Sequence, residues 1–256
     1  MARPPQRASA AALPLRVASA WLALAAAALP LRAAAEPLLD VRLGLPLASP
    51  ATLHVECDSS GGFSCASPTS ETSGDNAAAF AVGFDLLWRL SEHLRLGPGV
   101  MIVPGATFEP EDGDAIELGT ELPLLLVIEP LLPLSPQSTL FVHLQGGPLL
   151  LLPSGDHQEE LQRRQDDCDA LKEQLPDVSC EVNALALGWS VGAGAGASYA
   201  LDQVNLRAEL LLNYQALQLV HQRIDASSPS FSGAQLNRQR VTGARLWLLV
   251  GMEFDL

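Results

Sequence analysis

Apolar residues alternate with small or charged residues over eight separate stretches, and this alternation restricts the fold more than any other feature of the sequence. In the clearest stretch, 185–201, Leu187 and Trp189 share one face, and the intervening glycines and serines share the other. Successive side chains point to opposite sides of a β-strand, so a period of two predicts strands. A helical period also fits 80–100 but fails in the other seven stretches. The eight stretches are 38–47, 80–90, 94–102, 116–129, 139–152, 185–201, 204–214 and 244–256.

The two faces of these strands differ in a way that a water-soluble sandwich does not explain. One face is almost entirely Leu, Val, Ile and aromatic residues, whereas the other is mainly Gly, Ala and Ser with a few Asp, Glu and Arg. A soluble sandwich turns its apolar face inward and its polar face to water. Small residues with occasional charges are typical of a narrow barrel lumen, and lipid requires an apolar exterior. The sequence therefore predicts a transmembrane β-barrel with a polar interior.

The connections between the stretches alternate between short and long. Three are short: 91–93, 134–138 and 202–203. The others are long and polar, at 48–76, 105–114, 154–183 and 220–239. Short turns at one end and long loops at the other are typical of an outer-membrane barrel with both termini in the periplasm and long loops outside the cell. We therefore predict an all-β fold, an eight-stranded antiparallel up-and-down transmembrane barrel.

The first 35 residues have the organisation of a secretory signal peptide. Arg3, Arg7 and Arg16 precede or flank an apolar run at 17–31, and small residues at 33–35 offer a cleavage point. The apolar run is too short to span a bilayer, and Pro30 interrupts it. We expect residues 1–35 to be removed and residues 36–256 to form the barrel domain of a Gram-negative cell-envelope protein.

The alternation, the strand count and the turn layout together resemble the small eight-stranded outer-membrane barrels of the OmpA transmembrane domain, OmpX and OmpW type. The resemblance covers 38–256. It implies a porin-like monomer in contact with outer-membrane lipid and lipopolysaccharide, which is folded by the barrel assembly machinery. Barrels of this type usually end on an aromatic residue, whereas here Phe254 is followed by Asp255 and Leu256.

The charge of the mature chain excludes one class of partner. Residues 1–35 contain four Arg and no acidic residue, so residues 36–256 contain 11 basic and 29 acidic residues. Binding to nucleic acid requires Lys and Arg to neutralise phosphates. We therefore expect no nucleic-acid partner.

The charged residues of the inward face define a predicted lumen network. An eight-stranded barrel has room inside for side chains and little else, and buried charges must be paired. We therefore expect an interlocked plug of ion pairs, with a proton or small-solute path and a catalytic carboxylate pair as the alternatives. The same face carries His143. The network is Asp40, Arg42, Asp85, Arg89, Arg95, Glu117, Glu121, Glu129, Arg207, Glu209, Arg245 and Glu253.

Four cysteines lie in two of the long loops. The compartment reached by export is oxidising, so Cys57, Cys65, Cys168 and Cys180 are expected to form disulfides. Pairing within each loop and pairing between the two loops both remain open.

The third long connection also contains a predicted short helix. Leu161, Cys168, Leu171 and Leu175 repeat at helical spacing, and Pro176 ends the pattern. Asp166, Asp167 and Asp169 lack the Gly and the later Glu of a calcium loop. We expect neither a metal site nor a cofactor.

These observations favour a structural or surface-interaction role for the barrel. An OmpW-like conduit for small apolar compounds is the first alternative, with an opening in the wall near strand prolines; a soluble periplasmic lipocalin-like barrel is the second. No phosphate loop is present and no serine stands at a telling spacing from His143, so no enzyme activity is expected. The long loops are strongly acidic, and cations bridging them to lipopolysaccharide phosphates are a hypothesis. The prolines are Pro98, Pro104, Pro123, Pro130 and Pro148.

Overall fold

A computed structural model of the chain describes residues 37–65, 69–183, 185–202, 204–228 and 231–256. The signal peptide predicted for 1–35 lies outside the described residues. These described residues belong to one compact unit, Pro37–Leu256.

The described residues form eleven strands and one helix. The strands are β1 Pro37–Ala48, β2 Pro50–Gly61, β3 Thr69–Ala77, β4 Ala81–Ser91, β5 Leu94–Pro110, β6 Ile116–Pro133, β7 Ser138–Pro153, β8 Val178–Val182, β9 Ala186–Leu201, β10 Val204–Ser228 and β11 Phe231–Asp255. The helix, α1, is Gly155–Gln174 and lies between β7 and β8.

Eight of these strands close into a ring. Each pairs antiparallel with its neighbours in the order β1, β4, β5, β6, β7, β9, β10, β11, and β11 returns to β1 with Asp40 opposite Glu253. Each of the eight alternating sequence stretches lies in one of these strands, apart from the single terminal residues 80, 185 and 256. The all-β, eight-stranded antiparallel barrel predicted from the sequence is therefore confirmed.

The two ends of the barrel differ as predicted from the connection lengths. The turns after β4, β6 and β9 are short and lie at the end that also holds Pro37 and Asp255, which we call the turn end. The opposite end, where the long connections lie, is called the loop end. Backbone N–H of Leu256 donates to the carbonyl of Pro37 at 3.0 Å, which joins the first and last described strands at the turn end.

The long connections are more ordered than the sequence suggested. In the first of them, β2 and β3 pair with each other, and in the stretch expected to form a loop at 220–239, residues 220–228 and 231–239 continue the ladder of β10 and β11. β2 pairs with β11, β3 pairs with β5, and β8 pairs with β10, so the wall continues beyond the ring. We call β2, β3, β8, α1 and the adjoining parts of β10 and β11 the loop-end extension.

Helix α1 packs on the loop-end extension through one side. His157 and Cys168 are buried, Leu161 packs against an interior apolar cluster, and Arg164 Nη1 donates to Gln222 Oε1 at 3.0 Å. The helix predicted from the sequence is confirmed, and it ends at Gln174 before Pro176. Leu175 departs from the predicted stripe because it follows the last helical residue and is 49% exposed.

Both disulfides form within a single connection. Cys57 of β2 bonds to Cys65, and Cys168 of α1 bonds to Cys180 of β8. The second disulfide fastens the helix to the strand that pairs with β10. The disulfides predicted for these four cysteines are confirmed, and the alternative of pairing between loops is excluded.

The outer surface of the ring is an apolar belt. Its side chains are 36% or more exposed although they are large and apolar. The ring centres of Trp189 and Tyr214 lie 5.5 Å apart on the loop-end side of the belt, and Tyr199 lies near the turn end. Aromatic residues at both borders of an apolar band are typical of barrels in a bilayer. The belt includes Leu43, Leu45, Phe84, Leu124, Ile128, Leu140, Val142, Leu144, Leu187, Val191, Leu206, Leu210, Leu212, Val250 and Met252.

No helix within the described ranges is long and apolar enough to cross a membrane.

The interior contains two apolar clusters that alternate with polar layers. Along β11, proceeding from the turn end, Glu253 is followed by Leu249 and Trp247, then by Arg245, then by Val241. The first cluster is Leu38, Ala81, Leu87, Met101, Val103, Leu125, Val127, Leu211, Trp247 and Leu249. The second, nearer the loop end, is Ala51, Phe108, Leu118, Leu149, Leu151, Ala186, Leu217, Leu219, Val220 and Val241.

We predict that removing the second disulfide loosens α1 without opening the ring. A Cys168→Ser/Cys180→Ser variant loses the closure of a loop with a sequence separation of 12, which the chain-entropy model values at about 3 kcal/mol. Limited proteolysis of folded protein in detergent is expected to cut within 155–177 in this variant. The matched Cys57→Ser/Cys65→Ser variant should leave that segment protected. Equal protection of α1 in both variants would contradict the prediction.

We also predict that acid weakens the docking of α1 through His157. This side chain lies outside the ring, is buried, and burial lowers its pKa to about 4 from the usual 6.5. The folded form therefore binds fewer protons than the unfolded form between those two values. The docking free energy is complete above pH 6.5 and falls as the pH decreases toward 4.

The measurement is protease protection of α1 between pH 7.5 and 4. Wild type is expected to lose protection as the pH falls, whereas His157→Leu should keep it throughout. His93→Leu is the control, because His93 is exposed in the turn after β4 and should not alter the pH dependence. A wild-type profile that is flat over this range would refute the role of His157.

Candidate functional site

The most concentrated chemistry in the described chain is a group of buried charges inside the ring, near the turn end. Nine side chains from seven strands meet there, and each residue is at most 4% exposed. Their positions follow from the alternation, since every one lies on the face opposite the apolar belt. We call this group the lower network: Asp40, Arg42, Asp85, Arg95, Glu129, His143, Arg207, Glu209 and Glu253.

Arg207 is the centre of the lower network. Its Nη1 lies 3.0 Å from Asp40 Oδ2 and 3.1 Å from Glu253 Oε1. Its Nη2 donates to Glu209 Oε2 at 3.0 Å and also to Glu129. The guanidinium carbon lies 3.9 Å from the centre of the Phe141 ring, within cation–π range. One arginine thus joins carboxylates from four strands.

Arg42 joins a second set of carboxylates. Its Nε lies 3.2 Å from Asp40 Oδ2, its Nη1 donates to Glu209 Oε2 at 3.3 Å, and its Nη2 donates to Asp85. Because Asp40 and Glu209 contact both Arg42 and Arg207, the two arginines belong to one connected network.

Arg95 and His143 complete the network. Arg95 Nη1 donates to Glu253 Oε1 at 2.7 Å and lies 3.7 Å from Glu129 Oε2. His143 Nδ1 lies 2.8 Å from Glu129 Oε1, and its Nε2 lies 3.0 Å from Gln145 Oε1. Glu129 is therefore shared by two arginines and the histidine.

Glycines opposite these charges provide the space that they occupy. A Cβ atom at Gly99 would lie 2.1 Å from Asp85 Oδ1, and a Cβ at Gly196 would lie 2.4 Å from Phe141 Cζ. Gly99 is the direct cross-strand partner of Asp85, and Gly196 that of Phe141. The small residues of the inward face thus leave room for the large charged and aromatic ones.

A second, smaller ionic site lies between the two apolar clusters. Arg245 binds Glu121 through both terminal nitrogens, at 2.7 and 3.1 Å, and its Nε donates to the Asn76 carbonyl at 2.7 Å. Asn76 Nδ2 and Gln215 Nε2 also donate to Glu121 Oε1, at 3.2 and 3.0 Å. This upper pair has one charge of each sign. It also connects the loop-end extension to the ring, because Asn76 belongs to β3.

Two residues of the predicted network lie elsewhere. Arg89 is exposed at the turn end, where β4 leaves the ring, and it has no ion-pair partner among the described residues. Glu117 is also exposed and accepts a hydrogen bond from Ser154 Oγ at 2.8 Å, at the start of α1. Gly119 causes this difference, because its φ of 127° accompanies a shift of register that reverses the faces of β6. Leu118 points inward instead.

Several polar residues of the interior lie outside the predicted lumen network. Ser190 Oγ donates to Asn213 Oδ1 at 2.9 Å, and Gln145 Nε2 approaches the same oxygen at 3.5 Å. The alternation already placed these residues and Gln215 on the inward face, so the signal was present. Asn76 gave no such signal, because its strand lacks an apolar face.

A cavity of about 350 Å³ opens at the turn end below the lower network. Its lining includes Arg89, Arg95, Ser198 and Asn205. Asn205 Nδ2 donates to Glu253 Oε2 at 3.3 Å, so the cavity reaches the edge of the lower network. Above this vestibule the network and the two apolar clusters fill the ring.

The outer wall holds the one arrangement in the described chain that has the order of a catalytic triad. His54 Nε2 lies 3.0 Å from Thr242 Oγ1, and His54 Nδ1 lies 3.1 Å from Glu71 Oε1. Glu71 is 65% exposed. β11 is paired on both sides at Thr242, so its neighbouring backbone N–H groups are used by the ladders. Acyl transfer needs free hydrogen-bond donors to stabilise the oxyanion, and the backbone around Thr242 does not provide them.

The described side chains contain no group of three or more His, Cys, Asp and Glu residues that is arranged to hold a metal ion.

We predict that Arg207 is essential to the stability of the barrel. Arg207→Met keeps the aliphatic stem but leaves Asp40, Glu129, Glu209 and Glu253 short of a positive partner. Removing one member of a buried ion pair typically costs about 3–5 kcal/mol. Arg89→Met is the matched control, since an exposed substitution is expected to change stability by about 0.5 kcal/mol or less. Urea unfolding in detergent measures both, and similar midpoints for the two variants would contradict the prediction.

Comparison with known proteins gives structural neighbours only. No protein-family model matches the chain, and no curated protein matches it. The outer membrane protein OprG from Pseudomonas aeruginosa aligns with 87% of this chain and 96% of its own, at 10% identity and a TM-score of 0.42. AlkL, solved in lipid bilayers, aligns with 87% and 91% at 15% identity and a TM-score of 0.42.

Neisserial surface protein A aligns with 84% of this chain and 97% of its own, at 10% identity and a TM-score of 0.36. OprG and AlkL are outer membrane proteins. The chain's own geometry establishes its fold independently of them, through the closed ring, the apolar exterior and the charged interior. The chain therefore has the architecture of a small eight-stranded outer-membrane β-barrel.

Proposed function

We propose that the protein is a plugged outer-membrane barrel with a structural or surface-interaction role. In this proposal the turn end faces the periplasm and the loop-end extension faces the outside of the cell. The observation that carries it is the filled lumen: the lower network, the upper pair and the two apolar clusters succeed one another along the ring. A molecule that crossed the barrel along its axis would have to displace all of them.

The polarity of the barrel supports a membrane location over the lipocalin-like alternative. A soluble binding barrel has an apolar interior for its ligand and a polar exterior. This barrel has the reverse arrangement, with the apolar belt outside and the lower network inside. The ring is also closed, so it offers no unpaired strand edge within the belt for self-association. This supports the monomeric state that we propose.

The loop-end extension supplies the surface for interaction. It is rich in carboxylates, including Glu56, Asp58, Glu71 and Asp75 on β2 and β3. We propose that divalent cations bridge this acidic rim to lipopolysaccharide phosphates. Removal of divalent cations should then increase the protease accessibility of β2 and β3 in intact outer membranes. It should have no effect on the same protein in detergent without lipopolysaccharide.

The proposal includes no enzymatic activity. The support for this is that, in the described chain, no free backbone N–H groups surround Thr242, the hydroxyl residue of the Thr242–His54–Glu71 arrangement, to bind an oxyanion. The exposure of Glu71 adds to this, because a catalytic carboxylate has to hold the histidine in one orientation.

Planar-bilayer recording tests the plugged barrel. We expect no resolvable conductance steps from the purified wild-type protein, because no continuous aqueous path passes the lower network and the apolar clusters. A large porin reconstituted in the same way provides the positive control. Stepwise conductance that scales with the amount of barrel protein would refute the plug.

A conduit for small apolar compounds is the second candidate, and a weak region in the wall favours it. β1 and β2 are interrupted at Ser49, β3 and β4 are separated by 78–80, and β5 has a register shift beside Gly105. These irregularities lie on neighbouring strands at the loop-end border of the ring. Of the five strand prolines considered above, Pro104 lies in this region.

Uptake of an apolar dye by proteoliposomes distinguishes the two candidates. A conduit through the wall would accelerate uptake relative to protein-free liposomes, whereas a plugged structural barrel would leave the rate unchanged. Heat-unfolded protein at the same lipid ratio is the control for non-specific disturbance of the bilayer.

A further inference from the structure

The charges of the lower network do not balance. Its residues include five carboxyl groups and three guanidinium groups, each buried inside the ring. If every carboxyl were ionised and His143 neutral, the network would carry two excess negative charges. Unpaired charges in a low-dielectric interior are strongly unfavourable, and proteins avoid them by neutralisation. The lower network therefore needs two more positive charges than its arginines supply.

His143 is positioned to supply the first of these two positive charges. Both of its ring nitrogens face oxygen atoms: Nδ1 lies 2.8 Å from Glu129 Oε1 and Nε2 lies 3.0 Å from Gln145 Oε1. Arg207 Nη2 also lies 3.3 Å from Nδ1, but it donates to Glu129 and Glu209, which takes up its two hydrogens. The Gln145 amide is oriented by its own nitrogen, which faces Asn213 Oδ1 at 3.5 Å. Two acceptors require two N–H donors, and only the protonated imidazole has both.

The carboxyl groups around Arg42 are placed to supply the second. Asp40, Asp85 and Glu209 each direct one oxygen at Arg42. The other oxygen of each, Oδ1, Oδ1 and Oε1 respectively, has no hydrogen-bond partner among the described residues, and neither has Asp40 Oδ2. Glu209 Oε1 lies 3.8 Å from His143 Nδ1. A protonated carboxyl provides an O–H donor at such an oxygen and removes one negative charge.

A metal ion fits this region less well than a proton. Arg42 occupies the space between the three carboxyl groups, and no metal-holding cluster is found among the described side chains. Hydrogen-bond counting alone does not set the number of protons, because the Nε atoms of Arg42, Arg95 and Arg207 also lack hydrogen-bond partners in the described chain. The charge balance sets it.

We propose that the lower network is a proton-binding site that holds two protons at neutral pH, one on His143 and one shared among Asp40, Asp85 and Glu209. The groups facing the site are Arg42 on β1, Arg95 on β5, Glu129 on β6, Arg207 on β10 and Glu253 on β11. In the unfolded chain the carboxyl groups are ionised and the histidine is mostly neutral. Folding therefore takes up these protons from solution.

Proton uptake on folding is the direct test. Purified protein is refolded from urea into detergent at pH 7.5 in weak buffer, and a pH indicator counts the protons bound. Asp40→Asn removes one negative charge, so its uptake should be lower than wild type by about one proton per chain. Glu209→Gln should show the same decrease in proton uptake, and it replaces Asp40→Asn in the test if that variant does not fold. Glu121→Gln is the matched control, because the upper pair is already balanced and its uptake should equal that of wild type.

Stability provides the second readout. Because the native form binds more protons, the unfolding free energy of wild type should fall as the pH rises above neutrality. Asp40→Asn should flatten that dependence and keep or raise the urea midpoint at pH 7.5, whereas Glu121→Gln should lower the midpoint. Equal proton uptake by wild type, Asp40→Asn and Glu209→Gln would overturn the proposal. So would a wild-type uptake near zero together with a stability that follows sodium concentration and not pH.

Discussion

The structure depends on one constraint: polar groups inside an eight-stranded ring must satisfy each other, because lipid covers the outside and the space within is only wide enough for side chains. Arg207 shows how this is met, with carboxylates of four strands around one guanidinium group and an aromatic ring against it. Since the lower network draws on seven strands, it also fixes how those strands lie relative to one another. Its formation and the closure of the ring are therefore parts of one process.

The same constraint explains the distribution of small residues. A charged or aromatic side chain can enter the interior only where a neighbouring strand offers no side chain of its own, as Gly99 does for Asp85 and Gly196 for Phe141. The apolar clusters serve a different purpose. They fill the ring on both sides of the upper pair and keep water from Glu121 and Arg245, whose hydrogen bonds are thereby strengthened.

The fold was predictable from the sequence because the ring lies between two different solvents. Lipid outside and a packed polar interior impose strict alternation, so the strands and most of the lower network follow from parity alone. The prediction failed where that contrast ends. The strands of the loop-end extension have water outside, so β2, β3 and the adjoining parts of β10 and β11 show little apolar alternation although they are extended.

For individual residues, the predicted position was wrong or missing for local reasons. Parity placed Glu117 inside, but a register shift at Gly119 reversed the faces above it, and no residue pattern announces the exact position of a bulge. Arg89 has the correct parity but lies where the ring ends, so depth along the barrel and not the face decides its exposure. His157 lies among polar residues in the first turn of α1, so the sequence gives no sign that it is buried. Its burial follows only from the packing of α1.

The positions of the two ionic sites along the barrel explain why one has balanced charges and the other has an excess of carboxyl groups. The upper pair is enclosed between apolar clusters, where any imbalance would remain, and it has one charge of each sign. The lower network is the unbalanced site, and it borders the turn-end vestibule through Arg95 and Asn205. A proton can enter or leave there without crossing an apolar layer. The site that needs extra protons is thus the one that lies next to water, on the side that we assign to the periplasm.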